Sequence, residues 1–347
     1  MMFSENPTME HVDESCLDWS VSAVITVYNP DPAYLTKAIQ SVLEQSLQVK
    51  ELLLVNDGGS EAFRNLIPDD ARIRVFSKPN GGVATSRNYA IRNCVGEYIA
   101  FLDQDDFWYP DKLREQTAMI PIKGEPCMVT SSIDVVDVEG RVIKSKSENF
   151  REGYQRMIFS GELIKGLVDD NFIFSSTPLI HKSVFAGVGG FDAQTQPHDD
   201  WDMYIRIALS GYSIYCHFGK PLSVWRVHDA NESNKRKAMV ESRCLVSRKI
   251  LSSVTDPEIR KILQANMSLD LLEIDALLYK GHCCREYRSI LPRHVMDALG
   301  IFILSRRSDC FAYDYRKRFL SKVLKSLRRY LISFFLREGI RRSSRKI

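Results

Sequence analysis

Four polar runs in the first third of the chain carry side chains able to do chemistry. They are Thr26-Val27-Tyr28-Asn29, Asn56-Asp57-Gly58-Gly59-Ser60, Asn80-Gly81-Gly82 with Arg87 and Asn88 just after it, and Asp103-Gln104-Asp105-Asp106. Along an extended chain residues i and i+2 share a side, so Asp103 and Asp105 can point together at one cation. A carboxylate pair suits a hard divalent ion, Mn2+ or Mg2+, that holds phosphate oxygens at the same time. Taken singly the runs are ordinary: Asn-Asp-Gly is good turn chemistry, and an acidic cluster after a strand is often a helix cap. Their shared position carries the argument. Each falls at the C-terminal end of a β-rich stretch or in the turn beyond it, which is where open parallel sheets bind ligands. Neither glycine pair completes G-x-G-x-x-G, and no G-K-[ST] follows a glycine loop, so dinucleotide and P-loop readings lack their phosphate cradle. A nucleotide held through a metal fits better.

The elements that must position these runs follow from periodicity. Strands are expected at 21–27, 51–55, 73–76 and 98–102. Between them come a helix opened by Asp31-Pro32 with Leu35, Ile39, Val42 and Leu43 on one stripe, a short helix at 61–66, and a helix at 83–93. This alternation predicts a parallel sheet covered by helices on both faces. Past residue 110 the rhythm changes to a helix at 111–119, a strand at 128–131 and a hairpin turning at Asp137-Val138-Glu139-Gly140. A variable loop is expected over 140–175, strand over 172–181, helix over 200–210, and strands at 213–217 and 222–227. Beyond about Ala238 only helical periodicity remains. The expected fold class is therefore α/β, a mixed, mostly parallel sheet with flanking helices followed by a helical region. Its parts are a polar leader (1–18), a main domain (19–237) and a C-terminal region (238–347).

The composition, 44% hydrophobic and 26% charged over 347 residues, excludes disordered and collagen-like classes. No run of 18 apolar residues occurs, and residues 1–36 contain no Lys or Arg, unlike a spanning helix or a signal peptide. A cytoplasmic body is the expectation. The eight cysteines form no C-x-x-C pair, so reduced thiols are expected; the vicinal Cys283 and Cys284 read as structural. Charge is uneven. From Arg316 to Ile347 there are 12 basic residues against one acidic, Glu338, so the tail carries +11 and the rest −8 of the overall +3.

Together with Phe101-Leu102 before Asp103, Gly189-Gly190-Phe191-Asp192, Asp199-Asp200-Trp201-Asp202 and Trp225-Arg226-Val227-His228, the four runs resemble the family 2 inverting glycosyltransferases of GT-A fold. The resemblance covers about residues 20–235, and the ordered set is specific although each member is not. It implies a nucleotide-sugar donor, commonly a UDP-sugar. Thr26 and Tyr28 match positions that cradle the base, Asp57 and Arg87 match base and ribose or phosphate contacts, Asp103-x-Asp105 matches the metal-diphosphate motif, and Asn29, Asn56 and Asp103 count with the donor-binding set. Asp200 matches the general base. Two departures are visible: Asn56 stands where the family often has a first acid, and the Glu-Asp pair before the acceptor-side helix is here Asp199-Asp200. The sequence leaves Asp199 as the other candidate base.

An inverting transfer needs one carboxylate to deprotonate the acceptor hydroxyl opposite the leaving group, while a cation neutralises the departing diphosphate. His228 either completes that metal shell or is a buried histidine bonded to backbone. The resulting expectation is a Mn2+- or Mg2+-dependent transferase acting on a glycan or lipid-linked acceptor in cell-surface polysaccharide or lipopolysaccharide synthesis. The alternative is a non-catalytic, nucleotide-sugar-binding scaffold subunit. In the tail Phe319, Val323, Leu324, Leu327, Leu331, Phe334 and Phe335 recur at helical spacing beside a basic face. That pattern suits the surface of an anionic membrane, with packing on the main domain as the rival, and suits nucleic acid poorly.

Overall fold

The structure, a computed structural model, describes residues 19–159 and 162–279. The expected leader, the vicinal cysteines and the basic tail lie outside the described residues. Strand β1 (Val21–Val27) is buried almost throughout and leads to α1 (Pro32–Leu43), whose N-cap Asp31 accepts from the Ala33 and Tyr34 amides at 2.9 and 3.1 Å. Next come β2 (Glu51–Asn56), a single 3-10 segment at Glu61–Leu66 where a short helix is expected, β3 (Ile73–Ser77), α2 (Val83–Asn93) and β4 (Tyr98–Asp103). The chain continues through β5 (Phe107–Trp108), α3 (Lys112–Thr117), β6 (Cys127–Ser131), β7 (Ile133–Val136), α4 (Lys144–Phe159), α5 (Leu163–Asp169), β8 (Leu179–His181), α6 (Lys182–Val188) and α7 (Asp199–Leu209). It closes with β9 (Ser213–His217), β10 (Ser223–Arg226), α8 (Arg236–Ser253) and α9 (Pro257–Tyr279).

Seven strands form one sheet in the order β3-β2-β1-β4-β8-β6-β9; β5, β10 and β7 form a second. Strands β1 to β4 pair in parallel, β8 runs antiparallel to both its neighbours, and β9 is parallel to β6. The expected mixed, mostly parallel sheet is therefore present. Alternate residues of β1 feed the two faces. Val24 joins Leu53, Ile99, Phe101 and Met128 under α2, α5, α6 and α7, whereas Ala23 and Ile25 join Leu52, Leu54, Ala100 and Leu102 under α1 and α3. Such near-continuous apolar runs are what strands covered on both sides require. Val246, Ile250, Ile259, Ile262 and Leu263 of α8 and α9 lie in the first of these clusters.

The later half departs from expectation in three places. Residues 140–175 hold α4 and α5 instead of a variable loop. Of 172–181 only Leu179–His181 is strand, because the Ser175 and Ser176 hydroxyls are drawn to carboxylates on the neighbouring loop (below). The hairpin at 137–140 forms its turn, with Gly140 N donating to Asp137 O at 3.0 Å, but it closes through the single Val136–Val142 bridge before α4 begins. No helix of the described residues is long and apolar enough to cross a membrane.

Candidate active site

The strand ends of β1, β2 and β4 lie side by side, with Thr26 in register with both Val55 and Asp103. Tyr28, just past β1, is half exposed, and its backbone is bracketed by the Gln104 carboxamide, which accepts from Tyr28 N at 2.8 Å and donates to Tyr28 O at 3.2 Å. Asn29 adopts a left-handed φ of 42°, and its Oδ1 accepts from Ser60 N at 2.9 Å. Asn56 is buried and spends its amide on the loop it opens: Oδ1 accepts from Gly59 N, while Nδ2 donates to Gly59 O and Glu61 Oε1. The side chain implied to contact the donor thus closes the turn instead. Asp57 accepts from Gly81 N at 3.0 Å and Gly82 N at 2.8 Å and pairs with Lys78, which joins the second polar run to the third. Gly82 has a φ of 85°, a left-handed backbone that glycine adopts without strain.

Arg87 occupies the centre of the site. Rooted on α2 and almost fully buried, it donates to Asp103 Oδ1 at 2.8 Å and to Asp199 Oδ2 at 3.1 Å, with its guanidinium 5.2 Å from the Phe191 ring centroid. Asp103 also accepts from the Ser175 hydroxyl at 2.5 Å. Asn88, one residue on, clamps the Phe191 peptide in both directions, accepting from its N–H at 2.9 Å and donating to its carbonyl at 2.7 Å.

The two adjacent carboxylates at the start of α7 have different surroundings. Asp199 is buried against Arg87; burial raises its carboxyl pKa and the guanidinium opposes the rise. Asp200 accepts from the Trp201 amide at 2.6 Å and makes no ion pair among the described residues. Burial first, and the Asp199 charge second, push it up to about 7, with Arg87 opposing from further away. Both carboxyls are raised, and they differ in partner: the guanidinium hydrogen-bonds Asp199 and reaches Asp200 only through its charge.

Beyond β4, Asp105 Oδ2 lies 2.8 Å from His228 Nε2 and 3.4 Å from Asn231 Nδ2. His228 is therefore a carboxylate partner and not a backbone-bonded core histidine. Arg226 lies beside them: its guanidinium donates to the Asp105, Asp137 and Val138 carbonyls and sits 4.4 Å from the centroid of the Tyr34 ring, which is itself 5.6 Å from that of His228. Asp106 is buried, holds the Ser176 hydroxyl at 2.7 Å and the Arg226 amide at 3.0 Å, and is raised well above the usual carboxyl range by burial and by the Asp105 and Asp103 charges. The expected trio of metal ligands is not gathered. Asp103 turns to Arg87 and Ser175, since a guanidinium competes with any cation for that carboxylate, while Asp105 and His228 stay together. Among the described residues no group of three or more His, Cys, Asp or Glu side chains is arranged to hold a metal ion. Asp105 and His228 nonetheless fit a divalent ion that takes further ligands from outside the protein. They supply one oxygen and one nitrogen, and burial and the nearby Asp103 charge keep the Asp105 carboxyl raised.

Residues 22–182 match the family model described as Glycosyl transferase family 2. Over those residues the chain matches a family 2 glycosyltransferase domain. It is 28% identical over 217 residues to an uncharacterised glycosyltransferase of Rickettsia typhi, covering 62% of this chain and 66% of that one. The chain spans between about a third and two thirds of the length of several curated relatives it matches. Two solved structures share the GT-A fold. One is S. aureus TarS 1-349 in complex with UDP-GlcNAc, with a TM-score of 0.55, 16% identity and 92% of each chain covered. The other is the mannosyltransferase PcManGT from Pyrobaculum calidifontis in complex with GDP-Man and Mn2+, with a TM-score of 0.55, 14% identity, and 90% of this chain and 86% of that one covered.

Asp57, Arg87, Asp103 and Asp105 of the glycosyltransferase domain fall inside the matched range. Asp199, Asp200 and His228 lie beyond it and reach the same edge through the fold. Sequence reasoning missed several residues that hold the others in place: Lys78, Ser175, Ser176 and Asn231. For Asn231 a signal existed, since an Asx side chain three residues after His228 is placed to accept from His228 N, as it does at 2.6 Å. Nothing local marks Ser175 and Ser176, whose carboxylate partners are 72 and 70 residues away.

Proposed function

We propose that this chain transfers a sugar, with inversion at the anomeric carbon, from a nucleoside diphosphate sugar to a hydroxyl of a glycan or lipid-linked acceptor. The observation that carries the proposal is the contrast between Asp199, paired with Arg87, and Asp200, unpaired and raised to about 7. A carboxylate poised there takes a hydroxyl proton at physiological pH and can return it to solvent. A donor-binding scaffold would have no use for it. Arg87 orients Asp199 and Asp103 as a rigid strut, so that Asp200 is presented at the start of α7 while Asp103 faces the donor side. Asp105 and His228 would hold a Mn2+ or Mg2+ ion, which when bound supplies charge neutralisation for the diphosphate leaving group. The donor class rests on this carboxylate set and on the family, and a UDP-sugar is the working choice. Cell-surface polysaccharide or lipopolysaccharide synthesis is the proposed setting, with the basic tail holding the enzyme peripherally at the cytoplasmic face of an anionic membrane.

The test is donor turnover without acceptor. Purified protein is incubated with a panel of α-linked UDP-sugars in Mn2+ and Mg2+, and released sugar is followed by proton NMR. Slow release of the β-anomer of one sugar is expected. Binding of every donor without release, or release of the α-anomer, would overturn catalysis or inversion respectively.

A further inference from the structure

Three aromatic side chains near the carboxylates belong to neither hydrophobic core cluster: Phe150 on α4, Phe174 in the segment before β8, and Trp225 on β10. Phe174 and Trp225 lie with centroids 5.4 Å apart and planes tilted by 36°. Phe150 stands edge-on to both, at 5.0 and 5.9 Å, and is 36% exposed; the other two are only partly buried. Core aromatics of this domain behave otherwise, with Trp108 and Trp201 fully enclosed and their indole N–H groups bonded to the Ser176 and Leu167 carbonyls.

The trio is tied to the site by covalent neighbours. Phe174 precedes Ser175 and Ser176, which hold Asp103 and Asp106, and Trp225 precedes Arg226, whose amide also holds Asp106. On β10, Trp225 shares its face with Ser223, whose hydroxyl donates to Ser176 O at 2.9 Å. The aromatic surface thus ends, one residue along, at a hydroxyl and a carboxylate.

We infer that Phe150, Phe174 and Trp225 form an acceptor subsite that stacks the face of a pyranose ring; this rests on the transferase reading above. A pyranose offers both things this surface matches, an apolar face of C–H groups for aromatic rings and equatorial hydroxyls for the polar edge. A lipid chain calls for a longer uninterrupted apolar groove, and here the apolar surface stops at Ser175 and Asp103.

The experiment uses the full chain saturated with UDP and Mn2+ on an array of pyranose oligosaccharides, beside vesicles of phosphatidylcholine carrying a polyisoprenyl phosphate. Wild type is expected to retain at least one oligosaccharide class. Trp225→Ala and Phe150→Ala should lose it by tenfold or more, and Trp225→Phe should restore most of it. UDP affinity, read by calorimetry, should stay unchanged in all three, a split that general misfolding would not produce. Equal oligosaccharide retention by the alanine variants, or retention of the vesicles alone, overturns the subsite. Failure of wild type to bind any nucleoside diphosphate or nucleotide sugar would instead sink the transferase reading.

Discussion

Replacing Asp200 by Asn should have opposite effects on turnover and on stability. The folded carboxyl is raised from 3.8 to about 7 by burial and by the Asp199 charge. A raised acid binds its proton more tightly in the folded state than in the unfolded chain. Its stabilising contribution is therefore complete below about pH 4 and falls away as pH rises through 7. Three units correspond to at most about 4 kcal/mol, and the pairing of Asp199 with Arg87 makes about 1–4 kcal/mol a reasonable range. Asn keeps the acceptor for the Trp201 amide and removes the charge. At pH 8 Asp200→Asn should then melt several degrees above wild type, and at pH 4 the two should melt alike. Turnover should fall by about 10²–10⁴-fold with donor affinity kept. In wild type kcat/KM should rise with pH to a plateau above about 7, a limb the variant lacks. Asp199→Asn gives the contrasting pattern, because it leaves Arg87 with one carboxylate in place of two. Breaking a buried pair costs about 3–5 kcal/mol, so stability and donor binding should both suffer. The reasoning is refuted if Asp200→Asn turns over normally, or if Asp199→Asn loses turnover with its melting temperature intact.

Asp105→Asn should abolish the metal dependence of UDP binding in calorimetry while circular dichroism stays native; unchanged metal dependence would exclude Asp105 as a ligand. Arg87→Met should destabilise the fold by about 3–5 kcal/mol, since it strands Asp103 and Asp199, and a denaturant midpoint close to wild type would contradict the strut. The full chain should sediment with anionic liposomes at low salt and a chain ending at Tyr315 should not, with both binding UDP alike. Equal sedimentation removes the membrane anchor.

The order of elements in the first hundred residues was legible in the sequence because each signal is local. The ends of β2 and β4 carry Asn-Asp-Gly and acidic turns, Asp31-Pro32 starts α1, and the middles of β1, β2 and β4 are apolar on both faces. Helix α2 matches its expected span of 83–93. Legibility declined where local signals are weak. Helix α4 is a mostly polar run in which Phe150 and Tyr154 are apolar at helical spacing, so it read as loop, and β5 is only two residues long.

The sequence alone set Asp57, Asp103 and Asp105 at or just past the ends of parallel strands, since that follows from strand order and turn position; Asp200 entered through the family resemblance, and His228 was left open between metal ligand and core histidine. Tertiary structure decided what each of them does there. Asp199 and Asp200 are chemically the same and one residue apart, and what separates them is Arg87, 112 residues away from Asp199 and claiming only one of the two. The same guanidinium also bonds Asp103, one of the two carboxylates expected to share a cation. Partner choice among charged groups depends on distance and burial in three dimensions, which the spacing of residues along the chain does not encode.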